Sequence, residues 1–221
     1  MADHDDDLAT SKTAGFKIAE KKTVEEYHEL DKNDESLQRW KASLGLGSGT
    51  PIADPNDPRT CIIKSLALEV AGRPDITIDL SASGAVDNLK NTPFTIKEGS
   101  KFRIKATFQV QHDVLSGLKY IQVVKRKGVR VSKDQLMLVS VNPVFFGPGE
   151  LKEMSNVNNL IQGSYAPSTT DRPVYEKKFI EEEAPSGMLA RGSYNATSRF
   201  VDDDDHDHLR FDWSFVIAKD W

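Results

Sequence analysis

The sequence predicts an all-β body, an immunoglobulin-like antiparallel β-sandwich, preceded by a partly disordered, helix-forming N-terminal arm. Three observations predict it. From Cys61 onward, apolar residues recur with a period of two, as in a strand with one face in a core and one in water. No strand–helix–strand rhythm is present, which disfavours a parallel sheet. The charge is also lopsided: residues 1–40 hold eleven Asp and Glu against six Lys and Arg, so the whole net charge of −5 sits in that segment.

The body elements follow from the alternation. Leu66, Leu68 and Val70 alternate with Ala67 and Glu69, and Ile76, Ile78 and Leu80 with Thr77 and Asp79. Phe102, Ile104, Ala106, Phe108 and Val110 alternate with Arg103, Lys105, Thr107 and Gln109. Leu209, Phe211, Trp213, Phe215 and Ile217 form the last such run. Arg126-Lys127-Gly128 reads as a hairpin turn between Tyr120–Lys125 and Val129–Ser132. The large side chains on the inner faces either fill an ordinary sandwich core or line a lipid-sized slot between splayed sheets; composition does not separate the two.

Two domains are expected: an acidic arm over 1–60 and the sandwich over 61–221. The first 60 residues hold three aromatics, Phe16, Tyr27 and Trp40, too little apolar surface to repay their ordering entropy. Gly45-Leu46-Gly47-Ser48-Gly49-Thr50-Pro51 and Asp54-Pro55-Asn56-Asp57-Pro58 mark a linker. Two short helices are predicted within the arm. Thr23 caps the first, with Glu26 completing a capping box and Val24, Tyr27 and Leu30 on one face. Asp34 caps the second, with Leu37, Trp40 and Leu44 at helical spacing and Gly45 as its stop. Each is marginal alone, so its apolar stripe needs either the body or a partner to sit on.

Of the 221 residues, 38% are hydrophobic and 29% charged, with mean hydropathy −0.49. No stretch is apolar enough for a membrane-spanning helix, and a pI near 5.6 disfavours a nucleic-acid binder. The single cysteine, Cys61, excludes a disulfide framework and reads as an inert strand residue. The N-terminus lacks the basic and apolar regions of a signal peptide, which predicts a cytosolic protein. No nucleophile–base, P-loop or zinc-protease motif occurs, so no enzyme, cofactor or metal is expected. His206-Asp207-His208 after the Asp202–Asp205 run admits a metal site, a solvated loop or a surface for a basic partner segment.

Longer motifs then carry a resemblance. Glu29-Leu30-Asp31-Lys32-Asn33-Asp34-Glu35-Ser36-Leu37, Ser116-Gly117-Leu118-Lys119-Tyr120-Ile121-Gln122 and Arg126-Lys127-Gly128-Val129 are similar to motifs of Rho GDP-dissociation inhibitors. So are Glu183-Ala184-Pro185-Ser186-Gly187-Met188-Leu189-Ala190-Arg191-Gly192-Ser193-Tyr194, Ser198-Arg199-Phe200, the Asp run, Asp207-His208-Leu209 and the terminal Lys219-Asp220-Trp221. The resemblance covers roughly residues 20–221 apart from one internal segment.

The resemblance implies a non-enzymatic, cytosolic monomer. It would bind geranylgeranylated Rho-family GTPases one to one, preferring the GDP-bound form, with no nucleic-acid partner and no stable membrane association. The arm slows nucleotide release, and the sandwich takes the isoprenyl lipid between its sheets. A carrier of prenylated cargo that leaves nucleotide exchange alone is the alternative. Carried over by motif, Leu30, Asp34, Leu37, Trp40, Asp203 and Asp204 are expected to meet the GTPase. Ile76, Ile78, Phe108, Leu115, Ile121, Leu189, Phe211 and Trp213 are expected to line the prenyl pocket. The family usually has Tyr at the Trp40 position, and Trp-x-Trp where this chain has Phe211-Asp212-Trp213.

One segment departs from the family. Deleting the 24 residues 139–162 restores the family's passage from the strand into Gly163-Ser164-Tyr165-Ala166-Pro167. Val139-Ser140 is encodable as a 5′ splice site and Gln162 as an intron end, and the segment is in frame. It is therefore either a retained intron in the gene reading or a genuine loop insertion.

Overall fold

The alternating runs become strands of two facing sheets. The computed structural model describes residues 7–9, 26, 34, 35, 38, 49–82, 84–138 and 163–221. One sheet contains β1 (Cys61–Val70), β2 (Ile76–Asp79), β4 (Lys101–Val110), β9 (Tyr175–Lys178) and β10 (Glu182–Glu183). Strand β4 pairs with β1 along one edge and with β10 and β9 in turn along the other, all antiparallel. Strand β2 is the far edge.

The other sheet runs in the order β3 (Phe94–Lys97), β12 (Asp207–Ala218), β11 (Gly192–Val201), β6 (Lys119–Arg126) and β7 (Val129–Met137). Its pairs are antiparallel except β3 with β12, which is parallel. No hairpin dictates the direction of β3, because the chain reaches it by crossing from the edge strand of the opposite sheet. That crossing is a series of tight turns between Ala82 and Asn91, with Val86 and Leu89 half-buried against the core.

The predicted hairpin forms with a two-residue loop, Lys127-Gly128, whose φ values of 49° and 82° are both positive. Such a turn matches the twist of its flanking strands and favours glycine at its second position. Strand β7 continues to Met137, past the expected Ser132. Period two holds along β6: Tyr120 and Val124 enter the core between the sheets, while Ile121 and Val123 face the outside. The core is ring-rich. Phe94 stacks on Trp213 at 5.2 Å, Tyr194 on Phe215 at 5.1 Å, and Tyr120 on Phe179 at 5.2 Å.

From Gly49 onward, the expected linker is bound to the body. Pro51 bridges to Thr169, the Ile52 N–H donates to the Ser168 carbonyl, and Gln111 donates to the carbonyls of Asp57 and Arg59. Of the arm helices, Glu26, Glu35 and Gln38 are described and are helical. Asp34 lies just outside, and its carbonyl accepts from the Gln38 N–H at 2.9 Å, as expected of a cap residue.

The flanks of residues 139–162 lie in one register. Met137 pairs with Lys119, and the Leu138 N–H donates to the Leu118 carbonyl at 2.8 Å. The next residue back, Gly117, donates its N–H to Gly163 at 2.9 Å. Beyond it, Ser164 pairs with Ser116 and Tyr165 with Leu115, forming the pair β5 (Leu115–Ser116) and β8 (Ser164–Tyr165). Opposite one continuous stretch of chain, Leu138 and Gly163 therefore occupy successive positions, as if adjacent in sequence. Strands β7 and β8 behave as one strand cut at a single point. Joining Leu138 directly to Gly163 is expected to preserve every strand and to stabilise the fold by about 1–3 kcal/mol, since a long loop no longer has to be closed. Urea unfolding of the two chains checks this; a joined chain that fails to fold would refute it. A tryptic peptide spanning the Asp134–Tyr165 junction from native cells shows which form is made.

Candidate functional site

Two features of the body have the chemistry to engage a partner: an apolar cleft between the sheets, and the acidic turn joining β11 to β12. The cleft is lined by Leu66, Ala67 and Leu68 of β1, Ile76 and Ile78 of β2, Phe94 of β3, Ile104 of β4, Tyr120 of β6 and Trp213 of β12. Its half-buried members, Ile76, Ile78 and Phe94, lie on the two edge strands, so the cleft faces that edge. The cavity left inside is ≈ 20 Å³, room for about one water molecule. The cleft is closed in this conformation, and a long lipid tail enters only if side chains or edge strands move apart.

One wall of the cleft carries a buried polar network. Ser198 of β11 accepts from the Trp213 indole N–H at 2.8 Å and meets the Tyr120 hydroxyl at 2.9 Å. The same hydroxyl donates to Gln122 Oε1 at 2.7 Å. These bonds satisfy the polar ends of the two rings, which otherwise carry a desolvation cost, and fix their orientation. Burial also pushes the Tyr120 hydroxyl pKa up, keeping it a neutral donor.

Of the residues expected in the pocket, Ile76, Ile78 and Trp213 meet in this cleft. Phe108 and Leu115 are buried further along the core, where Phe108 packs on Tyr165 at 5.0 Å and Tyr175 at 5.7 Å. Phe211 is buried in the core and also borders a shallow polar groove with Val86, Asp87 and Lys90. Ile121 faces the opposite side of its sheet, because period two along β6 turns Tyr120 inward and its neighbour outward. Leu189 is 90% exposed at the tip of a turn. That turn is held by Arg126, which donates to the Leu189 and Arg191 carbonyls, and by Glu98, which accepts from the Gly187 N–H and the Arg191 guanidinium. Sequence reasoning missed Leu66, Leu68, Phe94, Ile104 and Tyr120 as cleft residues. Four stood in recognised strands, but Phe94 belongs to a short strand with no alternating signal long enough to find.

The acidic turn is organised by Asp202. One carboxylate oxygen accepts the Asp204 and His206 backbone N–H groups, both at 2.9 Å. The other accepts from His208 Nε2 at 3.2 Å. Asp203 turns inward onto Lys119 at 2.6 Å and sits against Gly117, where even a Cβ would collide with its carboxylate. Asp204 is half-buried. A GTPase contact through Asp203 must therefore compete with Lys119. Asp202, Asp204 and His206 place ligand atoms within 4.8 Å of one another, but both Asp202 oxygens are already engaged in building the turn. Of the expected arm contacts, Asp34 is exposed, and Leu30, Leu37 and Trp40 lie outside the described residues. Cys61 is buried, and desolvation pushes its thiol pKa up, the reverse of what a reactive cysteine needs.

A family profile described as "RHO protein GDP dissociation inhibitor" matches residues 1–146 and 153–220. The Rho GDP-dissociation inhibitor of Schizosaccharomyces pombe is 42% identical over 204 residues, spanning 92% of this chain and 86% of that protein. The chain belongs to the Rho GDP-dissociation inhibitor family. The Saccharomyces cerevisiae Rho GDP-dissociation inhibitor is 39% identical, over 92% of this chain and 90% of its own length. Human Rho GDP-dissociation inhibitor 1 is 38% identical, over 95% and 88%. Among the described residues, no helix is long and apolar enough to cross a membrane.

Burial on its own would raise the Asp202 pKa, but the His208 hydrogen bond, the His206 N–H and the nearby imidazole charges outweigh it and hold it below the usual carboxylate range. A depressed folded-state pKa means that the unfolded chain binds the proton more readily. The stabilisation from Asp202 is thus complete above about pH 4 and lost as pH falls through the lowered value. Asp202→Asn should cost about 1–3 kcal/mol at neutral pH and flatten the acid limb of the stability curve. Urea unfolding between about pH 2 and 7 measures both effects.

Proposed function

We propose that this chain binds prenylated Rho-family GTPases in their GDP-bound state, slows GDP release and holds them off membranes as a soluble one-to-one complex. The observation that supports this best is the apolar cleft with half-exposed Ile76, Ile78 and Phe94 at its edge, in a chain of this family. The isoprenyl tail would part the two edges and replace the side-chain packing within. The residues assigned to the tail are Ile76, Ile78 and Trp213, joined by Leu66, Leu68, Phe94 and Ile104 from the cleft walls. Asp34 with Leu30, Leu37 and Trp40 would meet the GTPase from the arm, and Asp204 from the acidic turn. No catalytic step is assigned, and the site of action is the cytosol.

Energetics explain why arm and cleft belong to one chain. A geranylgeranyl tail of about 20 carbons gains on the order of 10–15 kcal/mol on leaving water. A bilayer supplies nearly the same gain, so the cleft alone extracts nothing efficiently. Contacts with the folded GTPase supply the difference, and the acidic arm suits the Lys/Arg cluster that accompanies a prenylated cysteine.

GDP release from a geranylgeranylated Rho-family GTPase, run beside the unprenylated form, tests the proposal. Release should slow, and the effect should weaken sharply without the prenyl group. Deleting residues 1–45 should abolish nucleotide control and leave weak lipid binding. Ile78→Asp should weaken binding of the prenylated form about tenfold or more, because it sets a charge against the lipid. Lipid binding with unchanged GDP release would instead establish the carrier alternative.

A further inference from the structure

The outer face of the β7–β6–β11 sheet carries an apolar patch where a solvent-facing surface is expected. Ile121 and Val123 of β6 and Val201 of β11 are buried there and form a cluster separate from the sandwich core. The fourth member of the cluster is Leu8, 2% exposed, from the far end of the arm. Cations from all three strands surround it, and each bonds the arm's tip. Asp7 pairs with Lys125 of β6 at 2.9 Å and with Arg130 of β7 at 2.7 Å. Arg199 of β11 donates to the Leu8 carbonyl at 2.9 Å, and Lys133 of β7 to the Ala9 carbonyl at 3.3 Å. Strand register explains the arrangement: Arg199 lies opposite Ile121, and Lys133 opposite Val123, so the basic and apolar residues share one face.

We propose that this face is a docking site for the chain's own N-terminal tip, Asp7-Leu8-Ala9, and that the tip acts as a latch returning the far end of the arm to the body. Leu8 is the anchor, and Asp7 and the two carbonyls set its register. The other end of the arm is held where Thr50 accepts from the Thr170 N–H and Pro51 bridges to Thr169. The arm is thereby held on the body at both Ala9 and Thr50. Tethering places the tip near its site at an effective concentration of about millimolar, so a single leucine and one carboxylate suffice for docking. A basic segment that takes up the acidic tip must displace it from Lys125 and Arg130. The latch therefore sets how readily the arm is released to any positively charged partner, and it stands whether or not that partner is a GTPase.

The test places a nitroxide at residue 9 (Ala9→Cys) of the full chain. Cys61 is buried and does not compete for the label. The label should quench the amide NMR signals of Val123, Lys133 and Arg199 and spare those of β1 in the opposite sheet. Leu8→Asp should abolish the quenching with the body spectrum otherwise unchanged, and added salt should weaken it through the Asp7 pairs. Absence of quenching in the otherwise unsubstituted chain, or its persistence in Leu8→Asp, overturns the proposal. Quenching seen only when label and isotope sit on different copies also overturns it, because the occupant is then a second molecule's tip.

Discussion

The gap between the two sheets must be filled from both sides, and most of the molecule is arranged to fill it. Strand alternation delivers one side chain in two to the gap, and the sheets supply rings: Phe94, Trp213, Phe215 and Tyr194 from one sheet and its edge, Phe108 and Phe179 from the other. Rings cover large areas but leave polar ends. The Ser198 hydroxyl meets those of Tyr120 and Trp213 together, which lets both rings sit deep in the wall of an otherwise apolar cleft. The result is a closed core that borders two short edge strands. The long strands β1, β4, β6, β11 and β12 frame it, and the four-residue edge strands β2 and β3 border the cleft.

Several charged side chains hold turns and segments of the fold. Asp202 spends its carboxylate on the backbone of its own turn, Asp203 on Lys119, Glu98 on the Gly187–Arg191 turn, and Asp7 on Lys125 and Arg130. An acidic run that reads as a ready-made patch for a basic partner is therefore partly committed inside the fold. The acidic arm likewise has cations waiting on its own body. A basic partner of either acidic element would have to exchange for the ion pairs already made there.

Much of the architecture was legible in the sequence because period two is a local property. The runs at Leu66–Val70, Ile76–Leu80, Phe102–Val110 and Leu209–Ile217 all became strands, and Arg126-Lys127-Gly128 became a hairpin turn. The motifs were also sufficient to indicate the family. The cleft was less legible. Alternation says that Ile121 and Tyr120 lie on opposite faces, but not which face meets the other sheet; the structure turns Tyr120 inward. Leu189 looks apolar enough for a pocket, yet Arg126 and Glu98 hold its turn outward, through contacts with residues some 60 to 90 positions away.

By itself, the sequence determined strands β1, β2, β4, β6, β7 and β12, the turn between β6 and β7, the acidic imbalance of the arm and the family, because each is written in neighbouring residues. Only the tertiary structure decided which rings share the cleft, that the cleft is closed, that Leu138 and Gly163 take successive places along one strand, and that Leu8 lies on the outer face. Those facts depend on which strands become neighbours across long stretches of chain. Pairing between such strands is set by the collective filling of one core, which no local pattern encodes.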